Sequence, residues 1–337
     1  MEKKKSNFLP RIIFGVMIII LIFAVIQDWN KVKSVLHEAN WHLIPMALVL
    51  TLVSYLFSST GYMVTNLIFG LPVRRLKLWL VGFINMTTNN LINLGGAAGY
   101  TVSAVLLKSP EVQLSNIFAA SLFNTYLYFI FGTIFLPISL LYVILTHHLP
   151  SPARTGLIIV VGLAIAFAII INLGVFSQRF RSGLLRFIAR LVFAIVRRDT
   201  ALSMAKFDKT FTNGINLLKA QPNRLIGLLL LVTGDWVFCI AALWACFFVL
   251  GVRVSIGIAA SGFFIGIAAG ALSMIPGGLG VQEGSMAGVY ALLGVTFERA
   301  LLISILFRVI YYFIPFIIGL IIYNWILKVS PINKTQN

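Results

Sequence analysis

Charge is scarce in this chain. Only 10% of its 337 residues are Asp, Glu, Lys or Arg, against 60% hydrophobic, and just nine of the charged residues are acidic. Such a composition leaves no room for a sizeable water-exposed domain and reads as a polytopic membrane protein. Cysteine is nearly absent. Cys239 and Cys246 share one apolar run, where seven helical positions separate them by about 10 Å, too far for a disulfide. Histidine is scarce too, and His37, His42, His147 and His148 lack metal-ligand spacing. The chain has no H-E-x-x-H helix, no Walker loop and no nucleophile elbow. Accordingly no catalytic residue, metal or cofactor is expected, and the chain is expected not to be an enzyme. Without a nucleotide site, any transport runs downhill or draws on an ion or proton gradient.

The net charge of +17 would suit nucleic acid, but the basic residues sit between apolar runs, as the positive-inside rule expects, so no nucleic-acid partner is expected. Lys3-Lys4-Lys5 followed by an apolar run resembles a secretory signal. Ile26-Gln27-Asp28 stands where a small-x-small cleavage site would be, which favours an uncleaved first helix.

The apolar runs predict an all-α polytopic integral membrane protein with about six full transmembrane helices, over 12–26, 43–69, 117–145, 156–176, 225–250 and 301–327. Pro137 is expected to kink the third. Two more apolar stretches, 78–107 and 256–295, are broken by Asn93-Leu94-Gly95-Gly96 and by Pro276-Gly277-Gly278-Leu279-Gly280. Proline lacks an N–H and glycine resists helical order, so a helix should stop at each. The second arms, 97–107 and 284–295, hold about 12 residues, roughly 18 Å of helix against a hydrocarbon core of about 30 Å. Re-entrant hairpins fit these lengths better than crossings.

Charge orients the chain. Segment 177–224 carries ten Lys/Arg against Asp199 and Asp208, so it should be cytoplasmic. Counting outward puts both termini inside, makes 78–107 enter and leave from the cytoplasm, and makes 256–295 enter and leave from outside. This topology leaves 20 Lys/Arg inside, five outside (Lys31, Lys33, Arg154, Arg253, Arg299) and Arg308 in the membrane. Trp29 and Trp41 outside, and Trp79 and Trp325 inside, fall where interfacial aromatics belong. Within the basic segment, Arg179, Arg186, Arg190 and Arg197 fall near one helical face, with Leu184, Ile188, Leu191 and Ile195 supplying apolar surface. That suits an interfacial helix drawn to anionic lipid; a topology-setting charge run fits equally well.

A shift of 182 residues carries Gly95-Gly96 onto Gly277-Gly278, Ser103 onto Ser285 and Leu43 onto Leu225. Each half then reads long helix, broken hairpin, long helix, with opposite starting sides: an inverted-topology repeat. The expected organisation is a single membrane domain over 1–337. It comprises a first helix and outer loop (12–42), repeat one (43–145), a linking helix and basic loop (146–224), inverted repeat two (225–327) and a tail (328–337).

Three ionisable residues lie deep in apolar runs: Asp235, Glu283 and Arg308. A charge near the bilayer centre costs about 3 kcal/mol or more, so such residues face a cavity or a partner. In one reading, Glu283 and Asp235 receive a cationic or hydroxyl-bearing head group, with Arg308 balancing them or holding a phosphate. In the other, Glu283 and Arg308 form a structural ion pair. The glycines at the breaks, Gly95, Gly96, Gly277, Gly278 and Gly280, leave N–H groups at half-helix N-termini that suit phosphate. The first hairpin adds Asn85, Asn89, Asn90, Asn93, Tyr100 and Ser103, which suit a wet cavity or else satisfy broken backbone. Gly262, Gly266 and Gly270 repeat every four residues and are expected to let helices pack closely. The candidate cargo-binding set is Glu283, Asp235, Arg308, Gly277, Gly278, Gly280, Asn89, Asn93, Gly95, Gly96 and Tyr100.

At Ile275-Pro276-Gly277-Gly278-Leu279-Gly280-Val281-Gln282-Glu283, followed by Ala291-Leu292-Leu293-Gly294-Val295, the sequence resembles the flippase-like membrane domain of the lysylphosphatidylglycerol synthase family. The resemblance covers nearly the whole chain. It implies a bacterial or archaeal cell-membrane protein that moves modified or glycan-carrying lipids between leaflets, with anionic or aminoacylated membrane lipids as partners. Fused members carry a soluble aminoacyl-transfer domain; none is expected here, and synthase activity is not carried over. An ion-coupled small-solute transporter and a non-transporting membrane scaffold are the other classes.

Overall fold

The computed structural model describes residues 29–92, 96–146, 151–196, 201–220, 222–273 and 275–329. The expected first helix, 12–26, and nearly all of the tail lie outside them. Among the described residues the chain is all-helical, apart from one isolated bridge between Ser109 and Val112. Five described helical stretches are long and apolar enough to cross a membrane: Trp41–Ile68, Leu114–Thr146, Arg154–Val175, Pro222–Val249 and Phe297–Lys328. They coincide with five of the six expected spans.

The first described helix, α1 (Trp29–His37), lies in a stretch expected to be a polar loop. A 3-10 turn (Trp41–Leu43) leads into α2 (Ile44–Ile68), which has proline in its first turn, where the missing N–H costs nothing. The first broken stretch is α3 (Arg75–Ile92) and α4 (Ala97–Leu107), packed side by side. The next span, α5 (Leu114–Thr146), runs through buried Pro137 without interruption. Then comes α6 (Ser151–Phe176). The basic segment is not an open loop: it folds as α7 (Gln178–Val196) and α8 (Ala201–Ala220). The second half holds α9 (Pro222–Val249), then the broken pair α10 (Ile256–Leu272) and α11 (Val281–Leu292). The last span is α12 (Phe297–Arg308), a π-helical turn (Val309–Phe313) and α13 (Ile314–Val329).

The most extensive helix pair is α2 with α9. They run antiparallel. Asn40, just before α2, donates its N–H to the Val249 carbonyl at the end of α9 (2.6 Å), Ser54 meets Asp235, and Gly61 faces Leu231. The seam works because α2 turns small polar residues inward: Thr51, Ser54, Ser58, Ser59 and Thr65 are all buried. Small side chains let helices approach closely, and the Thr51 and Thr65 hydroxyls are satisfied one turn back by the Ala47 and Gly61 carbonyls (2.8 and 2.9 Å).

Each broken pair leans on the last helix of the other half. On α3, Thr87 abuts Gly319 of α13; on α10, Ser261 donates to the Ser139 carbonyl of α5 (3.1 Å), and Phe264 stacks on Phe135. The glycine row of α10 does what its spacing predicts. Gly262 lies under the Tyr290 ring, Gly266 under Met286, and Gly270 against Gln282, so α11 sits almost on the α10 backbone. By contrast α6 exposes Ile158, Ile159, Leu163, Phe167 and Ile170. An apolar surface of this extent is stable only against hydrocarbon or another apolar partner, in keeping with a multi-pass membrane protein.

Candidate functional site

The second break is built from the backbone outward. Ile275 is extended, Pro276–Gly278 make a single 3-10 turn, and Gly277, Gly278 and Gly280 all have positive φ (70°, 57° and 79°). A side chain is disfavoured at such angles. At Gly277 a Cβ would also strike the Leu91 carbonyl, at the end of α3. Glycine is therefore needed where the second break touches the first hairpin.

Glu283 is the third residue of α11. Its Oε2 accepts the Gly280 N–H (2.7 Å), the reach-back half of a capping box. Its Oε1 forms an ion pair with Nε of Arg308, the last residue of α12. Arg308 Nη2 also donates to the Gly277 carbonyl (3.0 Å) and to Gln282 Oε1 (2.9 Å), and the guanidinium lies 5.2 Å from the centre of the Tyr312 ring. Gln282 Nε2 in turn donates to the Tyr312 hydroxyl (3.1 Å). Both charged side chains are only 6% exposed. One guanidinium thus holds the turn, the start of α11 and the carboxylate together. The Gly280 N–H, expected to be open to a phosphate, is occupied by the chain's own carboxylate, because the third position of a helix is where a glutamate can fold back onto the cap.

In the first hairpin, polar side chains mainly bind one another. Asn85 donates to Ser103 Oγ (2.9 Å), Asn89 to Asn85 Oδ1 (3.0 Å), and the Gly99 N–H to Asn89 Oδ1 (2.7 Å). The Tyr62 hydroxyl closes on Ser103 from α2 (2.7 Å). These bonds zip α3 to α4. Gly96, with φ of 88°, turns the chain beside Thr125. Tyr100 packs edge-on against Phe118. Asn93 and Gly95 lie outside the described residues.

Asp235 belongs to neither break. It is 2% exposed in the middle of α9, where α2 crosses. Its carboxylate accepts from Ser54 Oγ, which is also 2.7 Å from the Tyr311 hydroxyl, and the Tyr128 hydroxyl reaches it from α5. Tyr55 donates to the Tyr311 carbonyl (3.0 Å) and accepts from Asn90 Nδ2 (3.0 Å). The π turn therefore serves two clusters: Tyr312 faces the Arg308 clamp and Tyr311 faces Asp235. π-Helical turns recur at functional sites. Gln282, Ser54, Tyr55, Tyr128, Tyr311 and Tyr312 escaped the sequence reading. The one available signal was Tyr311-Tyr312 lying just beyond a deep arginine.

Two further features stand apart. Arg181 is buried between α6, α7 and α8, donating to Asp208 (2.6 Å), the Val175 carbonyl (2.6 Å) and Thr212 (2.5 Å). A cavity of about 760 Å³ opens between α5 and α6, lined by aliphatic residues such as Ile134, Ile138 and Ile169, with Asn172 in its wall.

Among known proteins, a segment of 104 residues, 30% of this chain, is 34% identical to a phosphatidylglycerol lysyltransferase of Staphylococcus aureus (strain MRSA252). A segment of 157 residues, 47% of the chain, is 26% identical to a UPF0104 membrane protein of Methanothermobacter thermautotrophicus. The chain spans 12% of the first relative and 42% of the second. The family model described as the lysylphosphatidylglycerol synthase TM region matches residues 12–319, so the chain belongs to that family.

Proposed function

We propose that the chain is a lipid flippase-like transporter of a prokaryotic cell membrane, moving a modified phospholipid or lipid-linked glycan between leaflets, with both termini cytoplasmic and no catalytic step of its own. The observation that carries this reading is the meeting of the two breaks. Gly277, in one broken helix pair, rests against the Leu91 carbonyl at the edge of the other, beside a buried Glu283–Arg308 pair. Breaks at membrane depth are tolerated where they are buried in protein or line a passage, and opposed half-helices are the usual frame for a binding site between inverted repeats. The antiparallel seam of α2 and α9, the two helices related by the 182-residue shift, supports such a repeat, and the arm lengths of 11 and 12 residues support re-entrant hairpins. Family membership supports a lipid, anionic or aminoacylated, as the partner.

The close packing at the breaks favours a second reading, a non-transporting scaffold. Reconstitution separates the two. Purified protein in liposomes, with labelled aminoacyl-phosphatidylglycerol or phosphatidylglycerol in one leaflet, should speed transfer to the other leaflet. Glu283→Gln keeps the side chain's size but takes the counter-charge from buried Arg308, so it should both lower the melting temperature and slow transfer. Transfer no faster than in empty liposomes with either lipid would reject the flippase reading.

A further inference from the structure

Asp235 differs from the other deeply buried charged residues described. Glu283 and Arg308 neutralise each other, and Arg181 is matched by Asp208. Among the described residues no cation forms an ion pair with Asp235, although it is 2% exposed. An isolated carboxylate is expensive to keep in a low-dielectric interior unless it can be neutralised.

What neutralises it must be small. Asp235 is enclosed: Ser54 is fully buried, Tyr55 and Tyr311 are 1% and 4% exposed, and of its hydroxyl neighbours Tyr128 is the one partly exposed. A metal cation would need several oxygens at coordination distance, yet Ser54 Oγ is already in direct hydrogen-bond contact with the Asp235 carboxylate. A cargo amine would need a path that these side chains block. A proton needs neither space nor a path for a bulky group.

The surroundings suit both protonation states. The titratable groups facing Asp235 are hydroxyls and a thiol: Tyr55 from α2, Tyr128 from α5, Tyr311 from the π turn, and Cys239 on α9 itself. Helix α10, also packed on α9, carries no titratable side chain. On α8, Asp208 is held by Arg181; on α12, Arg299 is held by Glu38 and Arg308 by Glu283. His42 of the 3-10 turn and Lys209 and Lys219 of α8 make no ion pair with Asp235. Ser54 can donate to an ionised carboxylate, or accept from a protonated one while donating to Tyr311, since either hydroxyl of that pair can be the donor.

We propose that Asp235 is a proton-binding site. A proton from water adds to a carboxylate oxygen of Asp235 to give the neutral acid and leaves the same oxygen on release, while the Ser54 and Tyr311 hydroxyls turn to follow it. Tyr55, next to Ser54, bonds the Tyr311 backbone carbonyl and Asn90, two residues from the end of α3, so the backbone that carries Tyr311 is held to α2 and α3 beside the site. The proposal goes beyond the transport reading and does not need it.

Infrared difference spectroscopy on the full chain in lipid tests it directly. Stepping the pH from alkaline to acid should produce a protonated-carboxyl band that Asp235→Asn abolishes. Ser54→Ala should move that band to higher frequency, because the acid's carbonyl loses a hydrogen-bond partner. If Asp235→Asn fails to fold, the Ser54→Ala spectrum decides: a shifted band supports the site and an unmoved band overturns it. Identical difference spectra from wild type and a folded Asp235→Asn would also overturn it. So would a band that responds to sodium at constant pH, which would make the ligand a metal cation. Liposome transfer is measured separately, so a silent infrared band and a silent transport assay reject different statements.

Discussion

Arg308 donates to the Gly277 carbonyl across 3.0 Å while its Nε faces Glu283, so one side chain spans the break from α12 to the turn. Removing it strips a buried acid of its counter-charge. Arg308→Ala should destabilise the protein by about 3–5 kcal/mol. Combining it with Glu283→Gln should restore part of the loss. Thermal unfolding in detergent measures both, and a double variant no more stable than Arg308→Ala alone would disprove the coupling. Arg308→Lys should fall between wild type and Arg308→Ala, since a single ammonium cannot reproduce the guanidinium's fork.

Gly277 should tolerate nothing larger than hydrogen. Gly277→Ala combines a positive φ with a clash against the Leu91 carbonyl and should cost about 1–3 kcal/mol or more. Gly284→Ala, in a helix with nothing near the added methyl, should be neutral or slightly stabilising. Equal melting temperatures for the two variants would contradict the close approach of the breaks.

The hairpin zip makes a separate prediction. Asn89→Ala leaves the Gly99 N–H without its acceptor at the α3–α4 contact, which should cost about 1–3 kcal/mol. Hydrogen exchange should show the effect first at α4. Uniform loosening across the whole protein would argue against a local zip.

Topology can be read by labelling. Single cysteines at Arg75 and Ser109 should both react with an impermeant thiol reagent from the cytoplasmic side, and one at Arg253 from outside. Labelling of Arg75 and Ser109 from opposite sides would remove the re-entrant first hairpin and the inverted repeat with it.

Hydropathy made the spans legible because so few charges interrupt them, and Pro276 and the glycines around it marked the second break by the backbone angles they alone favour. The glycine row of α10 was legible because helix–helix approach depends on side-chain size at a fixed spacing. Other features left weaker traces. Ser54 is one of several serines on α2, and only the crossing with α9 brings it to Asp235. Arg181 is one of ten basic residues in its segment, and nothing local distinguishes the one that is buried. Gln282 acquires its role from tertiary contacts, so sequence spacing carried no sign of it, and Tyr312 showed only as half of a tyrosine pair just beyond a deep arginine. The N–H groups at the second break were legible as an anion site, but the anion there is Glu283 itself.

The π turn at Val309–Phe313 also sets the angular phase of the last span. Such a turn contains one residue more than the matching α-helical turn. Every side chain beyond it is therefore displaced by about 100° around the axis relative to an uninterrupted helix. Thr87 meets Gly319 in that displaced phase. Deleting Phe313, which is exposed, should convert the turn to α-helix, swing Gly319 away from α3 and bring a bulkier face of α13 against it, with no charged or hydrogen-bonding side chain removed.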